Sequence, residues 1–263
     1  MTAITVHRDV VLGRGDHSTI FKGLLDGHDV AVKELHRSQD GSSSTMVRCP
    51  CPHIIQVLAH DDARVVLEYM DAGNLRQFLD RSRGPLPMPF KLQVALRMAL
   101  ALKDLHGLNI VHGNVKSANV LLSSTKGAKL TDFGHAGAHV DALWSVAGPP
   151  FWTAPEIIET NGPRTTAADI YSLGVVLTEL DTLQRPYASA TLNSLAVLRE
   201  ICAGLRRPEL SADSPAWYRD LVAACLAHDP SARPEAALVV DVLYQHLDPS
   251  VPWSLPHHTS TSV

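Results

Sequence analysis

No basic excess runs through this 263-residue chain: Lys+Arg 23 against Asp+Glu 27 gives a formal charge of −4 and a pI near 6.4. With no cationic surplus to pair with phosphates, the composition argues against a general nucleic-acid or anionic-membrane binder. Only four cysteines occur, Cys49, Cys51, Cys202 and Cys225, too few for a disulfide scaffold. Cys49 and Cys51 stand too close together for a zinc knuckle, and no second pair exists. They read as reduced thiols, so a cytoplasmic location is the expectation. No uncharged apolar run reaches the length of a membrane span, and no membrane insertion is expected. The first residues lack the apolar stretch of a signal peptide. His135 and His139 lack the helical or Cys–His context of a metal site. What remains is a globular composition, 45% hydrophobic and 19% charged, long enough to bury a core without staples.

The pattern changes near residue 70. Before it, short β-branched runs predict strands at Val10–Leu12, Thr19–Leu25, Val30–Lys33, Ile54–Val57 and Arg64–Tyr69, with Asp26-Gly27 as a hairpin turn. After it, apolar spacing predicts helices over Phe90–His106, Ala167–Leu180, Ser214–Ala227 and Ser231–Leu247, the second buried on all sides. Residues 35–52 hold a Ser-Gln-Asp-Gly-Ser-Ser-Ser-Thr cluster that reads as loop. The stretch from Asp248 contains three prolines and is expected to be loosely held.

Gly13 and Gly15, two apart between strands, let a backbone approach a phosphate closely, although a plain glycine hairpin would look the same. A strand follows them instead of a helix, which argues against Rossmann and Walker-type sites. Lys33 lies in an apolar strand, either at an edge or as a cation facing phosphates. Further on come His112-Gly-Asn-Val-Lys-Ser-Ala-Asn119, Thr131-Asp-Phe-Gly134, Gly148-Pro-Pro-Phe-Trp-Thr-Ala-Pro-Glu156, Asp169-Ile-Tyr-Ser-Leu-Gly174 and Asp229-Pro-Ser-Ala-Arg233.

This ordered set resembles the eukaryotic protein-kinase family over roughly residues 8–247, with Lys116 placing it near the serine/threonine, tyrosine-kinase-like branch. The resemblance implies an α+β bilobal fold. A kinase-like domain spans 1–247 (small β-rich lobe 1–67, hinge 68–73, helical lobe 74–247), and a polar tail spans 248–263. It also implies ATP and magnesium as cofactors. Gly13 and Gly15 would cover the phosphates, and Ile20, Ala31 and Leu121 would enclose the adenine. Leu67 would be the gatekeeper, and Glu68, Tyr69 and Met70 the hinge. Lys33 would hold the α/β-phosphates, Asn119 and Asp132 the magnesium, and Lys116 the γ-phosphate. Glu156 and Arg233 resemble a structural ion pair, Asp169 an anchor for the catalytic loop, and His112 and Phe133 packing residues.

Four positions depart from the family pattern. Asn114 stands where an aspartate accepts the substrate proton; a carboxamide can orient a hydroxyl but cannot take up a proton near neutral pH. Gly113 replaces an arginine that reads a phosphorylated activation loop, for which Ser145 or Thr153 would be the phosphorylated residue. Between Lys33 and His53 the only acids are Glu34, on the opposite strand face, and Asp40, so the glutamate that pairs with the lysine is missing. Gly148-Pro149-Pro150 replaces Gly-Thr-Pro. The His-Gly-Asn loop also resembles those of receptor guanylate cyclase and Janus-type pseudokinase domains. Three expectations follow: an ATP/Mg-binding pseudokinase with impaired phosphoryl transfer that serves other signalling proteins as a scaffold or allosteric regulator, a low-activity serine/threonine kinase, or an interaction module that binds no nucleotide.

Overall fold

The Asp26-Gly27 turn forms as its composition predicts, with both residues at positive φ (51° and 81°), the backbone that a two-residue hairpin requires. It joins the second and third strands of a five-stranded antiparallel sheet in a computed structural model that describes residues 4–15, 18–36, 51–132 and 150–256. The strands are β1 (Ile4–Arg14), β2 (Ser18–Leu25), β3 (His28–Leu35), β4 (Val57–His60) and β5 (Arg64–Glu68), in the order β1-β2-β3-β5-β4. Alternation along β3 divides the sheet into two faces. Val30 and Val32 pack with Val66 on one side, and Ala31 packs with Val65 and Leu67 on the other.

The helical part begins after β5. It contains α1 (Leu75–Arg81), α2 (Met88–Gly107), a 3₁₀ turn at Ser117–Asn119 and the hairpin β6 (Val120–Ser123) and β7 (Gly127–Leu130). Then follow α3 (Pro155–Thr160), α4 (Thr166–Thr182), α5 (Ser194–Cys202), α6 (Ala216–Cys225) and α7 (Ala236–His246). The fold is thus bilobal and α+β, as expected. Every residue of α4 from Ala168 to Asp181 is buried, and the helix is the spine against which α2 and α6 pack.

Several expectations need correction. β1 starts at Ile4, six residues before the first apolar run, because its early residues pair with β2 across a bulge. Ile54–Val57 is not a strand. Ile54 bridges in parallel to Leu130 of β7, and the strand proper starts at Val57. Those bonds (Ile55 N–H to Leu130 O, 3.0 Å; Leu130 N–H to His53 O, 2.8 Å) fasten the sheet to the helical part. The helix expected over Ser231–Leu247 starts only at Ala236, after a 3₁₀ turn at Pro230–Ala232, since Pro234 stops the two from fusing. The tail is not loosely held as far as Pro256: Trp253 and Leu255 pack against the main core. Residues 37–50, which hold most of the small-polar cluster, lie outside the described residues, as do Phe133, His135, His139, Ser145 and Pro149.

Candidate active site

The loop from His112 to Asn119 is shaped by one carboxylate. Asp169, in the first turn of α4 and 2% exposed, accepts from the N–H groups of His112 and Gly113 (both 2.8 Å) and from Nε2 of His106 (3.0 Å). Two consecutive backbone donors aimed at one buried acid pin the loop's direction. His112 is fully buried, and its tautomer follows from its bonds. Nδ1 accepts from the Asn114 N–H (3.1 Å), so Nε2 carries the proton and donates to the Thr131 carbonyl (3.0 Å). That bond ties the loop to the residue before Asp132. Gly113 sits at φ +73°, where a side chain is strained, and its carbonyl accepts from Nη1 of Arg164, a residue from just before α4 that the sequence reading missed.

Asn114 is half-buried, and its side-chain amide makes no hydrogen bond among the described residues; its carbonyl accepts from Nδ2 of Asn119 (2.8 Å). With its N–H₂ so used, Asn119 keeps Oδ1 as a hard oxygen donor. Lys116 is half-buried and has no partner among the described residues.

Opposite the loop, Lys33 Nζ lies 2.6 Å from Oδ1 of Asp132, with side chains 15% and 32% exposed. Asp132 adopts φ +60°, a left-handed backbone for a residue other than glycine. Glu34, the next residue after Lys33, points the other way and pairs with Arg8 (2.8 Å), as alternation requires. The lysine therefore has a carboxylate partner, contributed by the segment after β7.

On the Lys33 face of β3 lies an apolar cluster. Ala31, Leu67 and Met70 form one buried cluster with Ile55 and Val65, against which Leu12, Ile20, Val57 and Leu121 pack. Leu121 comes from the helical part and the rest from the sheet or its edge, so the cluster spans the two lobes. Leu12, directly before the glycines, was missed although it belongs to the same strand. Gly13 pairs with Ile20, and the Gly15 N–H donates to the Ser18 carbonyl (2.9 Å). The Glu68 carboxylate is occupied by Lys129 Nζ (2.6 Å) and the Gln56 N–H (2.9 Å), and its own N–H donates to the Gln56 carbonyl (3.0 Å). Met70 makes no backbone hydrogen bond among the described residues.

An apolar cluster shared by the two lobes thus stands with a lysine–aspartate pair and a loop carrying asparagine and lysine. The family described as protein tyrosine and serine/threonine kinase matches residues 6–243. This chain belongs to the protein kinase family. The kinase domain is 32% identical over 246 residues to a probable serine/threonine-protein kinase of Dictyostelium discoideum, covering 87% of this chain and 38% of that protein. It is 31% identical over 244 residues to the serine/threonine-protein kinase cst-1 of Caenorhabditis elegans (86% and 48%). It is 28% identical over 262 residues to the probable serine/threonine-protein kinase pats1 of Dictyostelium discoideum (89% and 8%). The chain thus spans less than half the length of each of these relatives.

The kinase domain also holds a buried hub absent from the sequence reading. Glu179 of α4, fully buried, accepts from Arg76 Nη1 (2.9 Å), Ser117 Oγ (2.8 Å) and Trp152 Nε1 (2.7 Å). Burial pushes its carboxyl pKa up, and the three donors work against that shift. The hub joins α1, the His112–Asn119 loop and the segment before the Ala-Pro-Glu motif. Nearby, Arg233 reaches both oxygens of Glu156 (2.7 and 2.8 Å), the structural ion pair that the motifs implied. Only spatial proximity unites these residues; the nearest thing to a sequence signal was the mostly apolar character of α4, against which a glutamate stands out.

Proposed function

We propose that this kinase domain binds ATP with magnesium and is impaired in phosphoryl transfer, serving other signalling proteins as a scaffold or allosteric regulator. One observation carries the reading: Asn114 stands at the position that the family resemblance gives to the proton acceptor, in a loop that keeps Lys116 and Asn119. The chemistry of the donors fits the ligand. Asp132 and the free Oδ1 of Asn119 are hard oxygens of the kind magnesium takes, and Lys33 and Lys116 are cations for phosphates. The walls of Ile20, Ala31, Leu67 and Leu121 suit an adenine face, and the uncommitted backbone of Met70 beside Glu68 suits its edge. Gly13 and Gly15 form the turn above.

Bound ATP and magnesium would supply a γ-phosphoryl group with its charge partly neutralised. The chain's own residues would do the rest. Lys33 and Lys116 hold phosphate oxygens, and Asn114 orients a hydroxyl through its amide oxygen but leaves its proton in place. Loss of a general base costs on the order of 10²–10⁴ in rate. Since transfer depends heavily on positioning and charge, a second reading, a serine/threonine kinase of low activity, is favoured by Lys116, unpartnered among the described residues, and by the Lys33–Asp132 contact.

A thermal-shift titration with ATP and magnesium, followed by phosphate incorporation by wild type and Asn114→Asp, tests the proposal. At a hundredfold excess over Kd, binding adds about 2.7 kcal/mol, a rise of roughly 5–10 °C in Tm. No rise refutes nucleotide binding. Robust labelling by wild type, abolished in Asp132→Asn, refutes impairment.

A further inference from the structure

Beyond α7 the chain turns at Asp248, which accepts from the Ser250 N–H (2.9 Å), and runs back over the helical lobe. Gln93 Nε2 of α2 donates to the Val251 carbonyl (2.8 Å). The Trp253 ring then lies 5.5 Å from that of Phe90, with the Arg97 guanidinium 5.2 Å from its centroid on another side. Its Nε1–H donates to the Ser123 carbonyl (2.8 Å), at the end of β6. Arg97 also presses on the hairpin: a Cβ at Gly127, opposite Ser123, would sit 2.5 Å from its Cζ. Trp253 is therefore seated by two residues of α2 and bonded to the β6–β7 turn.

The residue after Ser123 faces the hinge. Asp71 accepts from Ser124 Oγ (2.5 Å) and the Ser124 N–H (3.0 Å), and Lys126 Nζ donates to the Tyr69 carbonyl (2.9 Å). The hydroxyls of Ser123 and Ser124 hold the Asp71 carboxyl below its ordinary range against the opposing effect of burial. Adjacent residues of the hairpin are thus held by two segments, Ser123 through its carbonyl by the C-terminal segment and Ser124 through its N–H and hydroxyl by the hinge. The same hairpin carries Leu121 into the apolar cluster, and Asp132 follows directly after β7.

We infer that residues 248–256 are an intramolecular ligand whose docking, through Trp253, sets the hinge and the nucleotide cleft by way of the Ser123–Ser124 turn. A partner that draws this segment off the α2 slot would loosen the cleft, and by reciprocity nucleotide in the cleft would tighten the segment. The nucleotide arm rests on the ATP reading above; the hinge arm does not.

The test compares wild type with Trp253→Ala in the full chain by amide hydrogen exchange and by titration with ATP and magnesium. Expected are exchange at the hinge (68–73) and β6–β7 on the order of fivefold faster, from one lost partly buried hydrogen bond, and nucleotide affinity weakened about fivefold. Nucleotide should also slow exchange across 248–256 in wild type. Trp253→Phe, which keeps the ring and loses the Nε1–H donor, should give an intermediate effect and decides the matter if the alanine variant does not fold. Unchanged hinge exchange in both variants overturns the coupling. Faster exchange with unchanged affinity overturns its reach to the cleft. If wild type binds no ATP, the nucleotide reading has failed and hinge exchange alone decides the coupling.

Discussion

Lys33 and Asp132, 99 residues apart in sequence, meet at 2.6 Å and join the sheet to the segment after β7. Glu34, the acid next to Lys33 in sequence, pairs with Arg8 instead, and the contact with Asp132 fixes where the lysine points. The interaction-module expectation began from an unpinned lysine, and the observed pair removes that premise.

Replacing either member should abolish nucleotide binding with little cost to the fold. Both side chains are partly exposed, so the pair contributes at most about 1 kcal/mol. Lys33→Met and Asp132→Asn should keep an apo Tm within roughly 4 °C of wild type and lose the rise caused by ATP with magnesium. Retention of the full rise by both variants would refute their assignment.

Asp169→Ala should be severe. It strips the acceptor from two backbone N–H groups and from His106 at a site 2% exposed. Leaving buried donors unmet costs roughly 1–3 kcal/mol each, so calorimetry should register a Tm drop of about 6 °C or more.

Gly174→Ala looks favourable by helix propensity, a gain of about 1 kcal/mol. In α4 the added Cβ would meet Cys225 Cβ at 2.9 Å and Leu226 Cγ at 3.0 Å. Overpacking of a buried helix contact costs about 1–3 kcal/mol, so the packing term wins. Chemical denaturation should show a net loss, and a gain would mean that α6 yields easily.

Acid should weaken the fold through Asp181. Burial raises its pKa, but bonds from Lys91 Nζ (2.9 Å), Ser214 Oγ (2.5 Å) and the Ser211 N–H (2.8 Å) outweigh that and hold it below its ordinary value. A depressed carboxyl stabilises above its unfolded pKa and loses that contribution as pH falls through the folded value, below about pH 4. Glu179, raised by burial, acts with the opposite sign. Urea midpoints measured from pH 6 to pH 3 should fall in wild type and fall less steeply in Asp181→Asn, whatever baseline stability that variant loses; parallel slopes would remove Asp181 as the cause.

Some missed features did carry a sequence signal. Helix α1 opens with Asn74-Leu-Arg-Gln77, a capping box in which Asn74 and Gln77 bond each other's backbone, and α5 opens on the capping Asn193. Others carried none. Arg164 on Gly113, Trp152 on Glu179 and Trp253 on Ser123 join residues 27 to 130 positions apart, and no local pattern encodes which will meet.

Local chemistry along the chain determined the hairpin at Asp26-Gly27, the fully buried α4, the motif order that places the chain among protein kinases, and the carboxamide at position 114. Those depend on near neighbours, on period and on residue type, which a linear string preserves. Tertiary structure alone decided the partner of Lys33, the tautomer of His112, the Glu179 hub and the docking of Trp253. Each is a contact between side chains brought together only when the lobes and the C-terminal segment close over a common core.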